Sequence, residues 1–240
     1  MIIDLTPPPG DWPALPALPR EDIASGTADQ TGLTVFEAPG LTVGFWGCSP
    51  WVATPGPYPS DEFMILLEGS VTILLPDGRA ETIRAGQSFF IPKGLDCTWD
   101  QPEPVKKIYV IFEGGAAKAG VGLPLTVDPA MPLAPSPAPA PAILDSKVPV
   151  QRAAQVYADG SGQFSVGVWA TSAYRRKPIP FPRHELMHIL SGEVTMTSDG
   201  VTRTWAAGQS FFVPMGAVVD WVGPGELAKV YCSIMPKDAP

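Results

Sequence analysis

The chain repeats itself, and this constrains its fold more than any other feature. Leu41 to Trp46 reads LTVGFW and Phe164 to Trp169 reads FSVGVW; Asp61 to Thr72 reads DEFMILLEGSVT and His184 to Thr195 reads HELMHILSGEVT. Both pairs sit at an offset of 123 residues. After a one-residue deletion, AGQSFFIPKG (Ala85 to Gly94) matches AGQSFFVPMG (Ala207 to Gly216) at 122. Trp99, Lys107 and Tyr109 recur as Trp221, Lys229 and Tyr231 at the same spacing. One offset held over so much sequence, with one small gap, marks a duplicated domain.

Each copy reads as short strands and turns. Apolar runs at Phe63 to Leu67 and Val71 to Leu75 flank Glu68-Gly69-Ser70. Asp77-Gly78 and Asp199-Gly200 are hairpin signals, and Ser88 to Ile91 and Ser210 to Val213 are strands broken by Pro-x-Gly. The 30 prolines and 24 glycines disfavour long helices. A weak helical signal lies at Pro19 to Ser25. The expected class is all-β: two tandem jelly-roll barrels from an internal duplication. Expected boundaries are an N-terminal arm (1–25), a first barrel (26–118), a Pro/Ala-rich linker (119–150) and a second barrel (151–240). The linker contains DPAMPLAPSPAPAPA, Asp128 to Ala142, read either as an extended polyproline spacer or as disordered filler.

Charge and composition exclude several functions. A net charge of −8 argues against nucleic-acid and anionic-membrane partners. No apolar run is long enough to span a bilayer. The first 19 residues lack a basic start followed by an apolar core, so they are not expected to be a signal peptide. Cys48, Cys97 and Cys232 are odd in number and widely spaced, which suggests thiols in a reducing cytoplasm.

The repeated residues resemble the cupin superfamily, whose barrel is the double-stranded β-helix of RmlC-like proteins. Its first motif ends in E-x6-G, seen as Glu62 to Gly69 and Glu185 to Gly192. Its second reads G-x5-P-x-G, seen as Gly86 to Gly94 and Gly208 to Gly216. The Trp followed by Lys-x-Tyr is similar to the ethanolamine-utilisation cupins. The resemblance implies a bicupin fold and leaves activity open, because the superfamily includes enzymes, storage proteins and sugar-binding regulators.

The superfamily's usual metal ligands are three imidazoles and a carboxylate. Here only the carboxylate remains, as Glu62 and Glu185. The paired-histidine region reads PGPYPS in one copy and PIPFPR in the other, and the last histidine is Cys97 or Val219. His184 and His188 are four residues apart on an expected strand, about 13 Å at 3.3 Å per residue. They cannot share one ion, and alternation turns both away from the face of Glu185. Ureidoglycine aminohydrolases, two-barrel relatives of similar length, use E-x-H-x3-H before this turn; the matching positions here are Ile179, Phe181 and Glu185. No metal and no cofactor are expected, and that activity is disfavoured.

The resemblance places Glu62, Met64, Leu66 and their counterparts Glu185, Met187, Ile189 on an inward face, with Lys107 and Tyr109 or Lys229 and Tyr231 beside them. The candidate ligand-binding residues are therefore Glu62, Cys97, Trp99, Lys107 and Tyr109 in one barrel, and Glu185, Trp221, Lys229 and Tyr231 in the other. They can bind a small polar or anionic metabolite, or move a proton if burial shifts a pKa. A buried Glu–Lys pair capped by Tyr is equally a way to satisfy charge in a core. Cys97 is read as a small buried hydrophobe more readily than as a nucleophile. Tyr58 and Phe181 are candidate lid aromatics, and Arg183 is read as a solvated rim charge.

Three functional readings stay open: a metal-independent small-molecule-binding bicupin, a metal-dependent enzyme with atypical ligands, and a structural protein with filled barrels. A monomer with internal pseudo-twofold symmetry and a homodimer both fit the sequence.

Overall fold

Turn chemistry sets the strand ends. In the computed structural model, which describes residues 1–7 and 10–237, Asp199 and Gly200 both have positive φ (52° and 77°). Ser198 pairs with Val201 across them, the geometry of a tight two-residue hairpin. At Asp77-Gly78 only Gly78 is left-handed, and the hairpin closes over a longer loop between Leu74 and Ala80. Gly69 and Gly192, the motif glycines, have φ of 79° and 75°. A Cβ on them would lie 2.3 Å from the Pro104 carbonyl oxygen and 2.1 Å from that of Glu226. Only glycine fits such a turn.

The chain divides into two units: Pro7–Val127 with Asp159–Gly162, and Met1–Thr6 with Asp128–Ala158 and Gln163–Pro240. The first unit has a five-stranded sheet in the spatial order Ser88–Ile91, Asp61–Glu68, Val105–Phe112, Leu41–Cys48, Gln30–Ala38. Its other sheet runs Ile23–Gly26, Trp51–Ala53, Asp96–Gln101, Ser70–Leu74, Ala80–Arg84, with Gly56–Pro57 also pairing with Asp96–Gln101.

The second unit repeats this plan. One sheet runs Ile3–Asp4, Ser210–Val213, His184–Ser191, Leu227–Ile234, Phe164–Thr171, Gln151–Ala158, Ala134–Ser136. The other runs Tyr174–Pro180, Val218–Gly223, Glu193–Ser198, Val201–Ala206. Its apolar core takes Met187, Ile189, Phe211 and Val213 from the first sheet and Met196, Trp205, Val219 and Trp221 from the second. Alternating side chains of two sheets thus fill one interior. The expected all-β double jelly roll is the observed fold.

Local differences have local causes. The helical signal at Pro19 to Ser25 becomes one 3-10 turn, Arg20–Asp22, because Ile23–Gly26 pairs with Trp51–Ala53 instead. Segment 119–150 carries structure of its own. Leu125 and Val127 are buried, Ala134–Ser136 forms an edge strand against Gln151–Ala158, and Leu144 joins the second unit's core. Among the described residues, no helix is long and apolar enough to cross a membrane.

Candidate functional site

Strand register assembles one face in each barrel. In the first unit, Lys107 lies opposite Trp46 and Leu66, and Tyr109 lies opposite Gly44 and Met64. Residues directly opposite on antiparallel strands share a face, so Trp46, Glu62, Met64, Lys107 and Tyr109 point the same way. The Lys107 ammonium lies 2.8 Å from Glu62 Oε1 and 3.1 Å from Met64 Sδ. It also sits over the rings of Trp46 and Trp99, at 4.7 and 4.8 Å. The second unit repeats the motif: Lys229 Nζ is 2.5 Å from Glu185 Oε1, 3.1 Å from Met187 Sδ, and 4.9 and 5.5 Å from the rings of Trp169 and Trp221. All four charged residues are buried. Carboxylate, thioether and two indole faces thus enclose each ammonium.

The other carboxylate oxygen distinguishes the barrels. In the first, the Tyr58 hydroxyl donates to Glu62 Oε2. The counterpart of Tyr58 is Phe181, which has no hydroxyl, and there Arg183 Nε donates to Glu185 Oε2 at 2.6 Å. Arg183, read from sequence as a solvated rim charge, is therefore a partner of the buried acid. Burial pushes the Glu185 carboxyl up, but Lys229 and Arg183 outweigh it and hold it below the usual range. Burial and the Glu62 charge hold the Tyr58 phenol well above its ordinary value, so it stays a donor.

A second difference is steric. The first barrel contains a cavity of about 690 Å³, lined by residues that include Trp46, Trp51, Trp99, Glu62, Lys107 and Cys97. Ala53, Gly56 and Ser60 also line it. Their counterparts in the second barrel are Arg176, Ile179 and Arg183. There Tyr174 stacks on Trp221 (5.6 Å between centroids, 21° between planes), and Phe181 is buried in the core with Met187.

The remaining candidates take quieter places. Tyr109 lines the cavity, but its hydroxyl bonds to Thr34 at 3.1 Å and lies where a side chain on Gly44 would be. Tyr231 packs the same way against Gly167. Trp99 Nε1 donates to Gln101 Oε1 at 3.1 Å, whereas Trp221 Nε1 is buried and has no hydrogen-bond partner among the described residues. Burial and then Asp96 push the Cys97 thiol up to about 11, which keeps it protonated at neutral pH. Trp46 and Trp169 were not among the residues expected from the sequence, although both close the repeated LTVGFW and FSVGVW stretches. Both histidines lie on the strand face opposite Glu185. The Met215 amide donates to His184 Nδ1 at 3.2 Å, and His188 Nδ1 lies 2.9 Å from Ser210 Oγ.

Residues 40–109 and 158–231 match the family model described as the EutQ-like cupin domain. The chain belongs to the EutQ-like cupin family. A solved structure of a protein of unknown function from Pseudomonas syringae pv. tomato shares 25% identity with this bicupin, covering 97% of it and 98% of the other chain with a TM-score of 0.80. A cupin 2 conserved barrel domain protein from Leptotrichia buccalis shares 12% identity, with coverage of 89% and 92% and a TM-score of 0.56. Protein Ylba from E. coli shares 14%, with coverage of 94% and 89% and a TM-score of 0.51. No curated protein matches the chain.

The metal that cupins commonly hold does not fit the residues of this bicupin. Each buried glutamate has one oxygen on a lysine ammonium and the other on Tyr58 or Arg183. Among the described residues, no three His, Cys, Asp or Glu side chains gather into a group that can hold an ion. An ammonium stands beside the carboxylate that would be a ligand.

Proposed function

We propose that this bicupin binds a small polar metabolite in its first barrel, without a metal, and that its second barrel is a packed counterpart. The supporting observation is the cavity of about 690 Å³ above the Glu62–Lys107 pair, set against the larger residues at the matching positions of the other copy. A volume of that order suits a small-molecule ligand.

The lining narrows the ligand. Lys107 already donates to Glu62 and Met64 and faces two indoles, so it has little left for an external carboxylate. The Glu62 carboxylate retains lone pairs, and the walls include three tryptophans, two tyrosines and three prolines. Of the small polar or anionic ligands expected, the first barrel favours a neutral one with hydrogen-bond donors and a flat apolar part. Cys48, Cys97 and Cys232, buried as thiols, fit a reducing compartment such as the cytoplasm.

Gly56→Ile tests the reading. It installs the second barrel's residue, Ile179, at the same strand position: Gly56 pairs with Cys97 as Ile179 pairs with Val219. A Cβ on Gly56 meets nothing within 4 Å. In a fragment screen read by ligand-observed NMR, compounds that bind the wild type should be lost in Gly56→Ile at unchanged stability. Compounds that bind both proteins equally would remove the first barrel as the site.

A further inference from the structure

The side-chain hydrogen-bond donors around the first barrel's cavity are nearly all committed within the protein. Lys107 Nζ holds Glu62 and Met64, and the Tyr58 hydroxyl holds Glu62. Thr54 Oγ1 donates to the Glu21 carbonyl at 2.6 Å. Gln30 donates to the Pro16 carbonyl at 2.8 Å, while its Oε1 takes the Trp46 indole. Trp51 Nε1 is buried and closed to a ligand. The Cys97 thiol is a weak donor. Ser60 is the exception. It lines the cavity and is only 5% exposed, yet among the described residues no hydrogen bond engages its hydroxyl, and the oxygen is not sealed in.

The duplication shows where that hydroxyl is aimed. Ser60 matches Arg183 at the offset of 123, and Arg183 reaches inward to Glu185 Oε2 at 2.6 Å. Between Ser60 and Glu62, Asp61 turns the other way and takes the Lys93 amide, as alternation requires. Ser60 therefore faces the Glu62 side of the chain, and the small serine leaves open the place that the planar Arg183 group fills in the other barrel. Of the about four lone-pair sites on the Glu62 carboxylate, Lys107 and Tyr58 use two. A hydroxyl free to donate thus stands beside a carboxylate that only accepts. A head group that answers both must itself accept and donate. A carboxylate head lacks the donor and is repelled by Glu62; an ammonium lacks the acceptor. Resting on the reading of the first barrel as the ligand site, we infer that Ser60 is its selecting donor, and that Ser60 and Glu62 together read a flat, neutral head group of the primary carboxamide kind. Its C=O accepts from the serine hydroxyl, its N–H donates to the carboxylate, and its apolar body lies against the indoles.

Ligand-observed NMR titrations of the full chain at neutral pH test this with benzamide and aniline. Both carry N–H donors on a flat ring, and aniline lacks the carbonyl. Benzamide should bind the wild type more tightly than aniline. Ser60→Ala should weaken benzamide by about three- to tenfold and leave aniline unchanged. Ser60→Arg, which copies the second barrel, should exclude both. Benzamide held equally by the wild type and Ser60→Ala, or not held by the wild type at millimolar concentration, would overturn the inference. Equal losses of both probes in Ser60→Ala would overturn it too, since they would trace to a disturbed wall and not to a lost donor. The two readings fail separately. Probes bound equally by the wild type and Gly56→Ile would remove the first barrel as the site, whereas benzamide lost in Gly56→Ile but kept in Ser60→Ala would remove only the role of Ser60.

Discussion

Replacing Lys107 by methionine should cost far more stability than the same change at Lys229, although the two lysines occupy duplicate positions. Both ammonium groups are buried to the same degree, with 7% side-chain exposure, and their acids are at 5% and 1%. Each also covers two indoles, so the lost cation–π attraction largely cancels between the variants. What differs is the partner left behind. Without Lys107, Glu62 keeps, among the described residues, the Tyr58 hydroxyl alone, and an uncompensated buried charge costs about 3–5 kcal/mol. Without Lys229, Glu185 keeps Arg183 at 2.6 Å, and a hydrogen bond to a charged group is worth about 1.5–3 kcal/mol. The expected gap is therefore about 2 kcal/mol, or about 1 M in a urea midpoint at a typical slope. Unfolding followed by tryptophan fluorescence at neutral pH, fitted for each unit, measures it. Adding Glu62→Gln to Lys107→Met removes the stranded charge and should recover at least half of the loss. Equal costs at the two lysines, or a double variant as unstable as Lys107→Met, would refute this account of the buried pairs.

Two further outcomes follow from the titrating groups. Cys97, pushed up to about 11, should react with a thiol reagent at pH 8 about a hundredfold more slowly in the native protein than an ordinary thiol; reaction at the ordinary rate would place it in an open, charged setting instead. Burial holds His184 and His188 below their usual value, so the unfolded chain takes up their protons first. The stability that they confer is complete above about pH 6.5 and should fall as pH drops through their folded values, with Glu185 adding a further loss below about pH 4.5. Denaturation midpoints measured from pH 8 to 4 should show this decline, and a flat profile between pH 7 and 5 would contradict the lowered values of the two imidazoles.

The sequence by itself determined the duplication, the all-β class and the strand that carries both histidines. These follow from short-range rules: a repeat offset, a period of two, and turns that only glycine or Asp-Gly can make. It also contained the residues that separate the barrels, Ala53, Gly56 and Ser60 against Arg176, Ile179 and Arg183, but their consequence depends on what stands across the interior. Only the tertiary structure decided that Trp46 and Trp169 wall the lysines, that Tyr58 and Arg183 are alternative partners for one carboxylate oxygen, and that a cavity lies beside the Glu62–Lys107 pair. The physical reason is that cavity volume and charge pairing are properties of residues distant in the chain. A substitution of Gly by Ile or Ser by Arg reads as a small local change until the opposite strand shows what space it fills and which charge it meets.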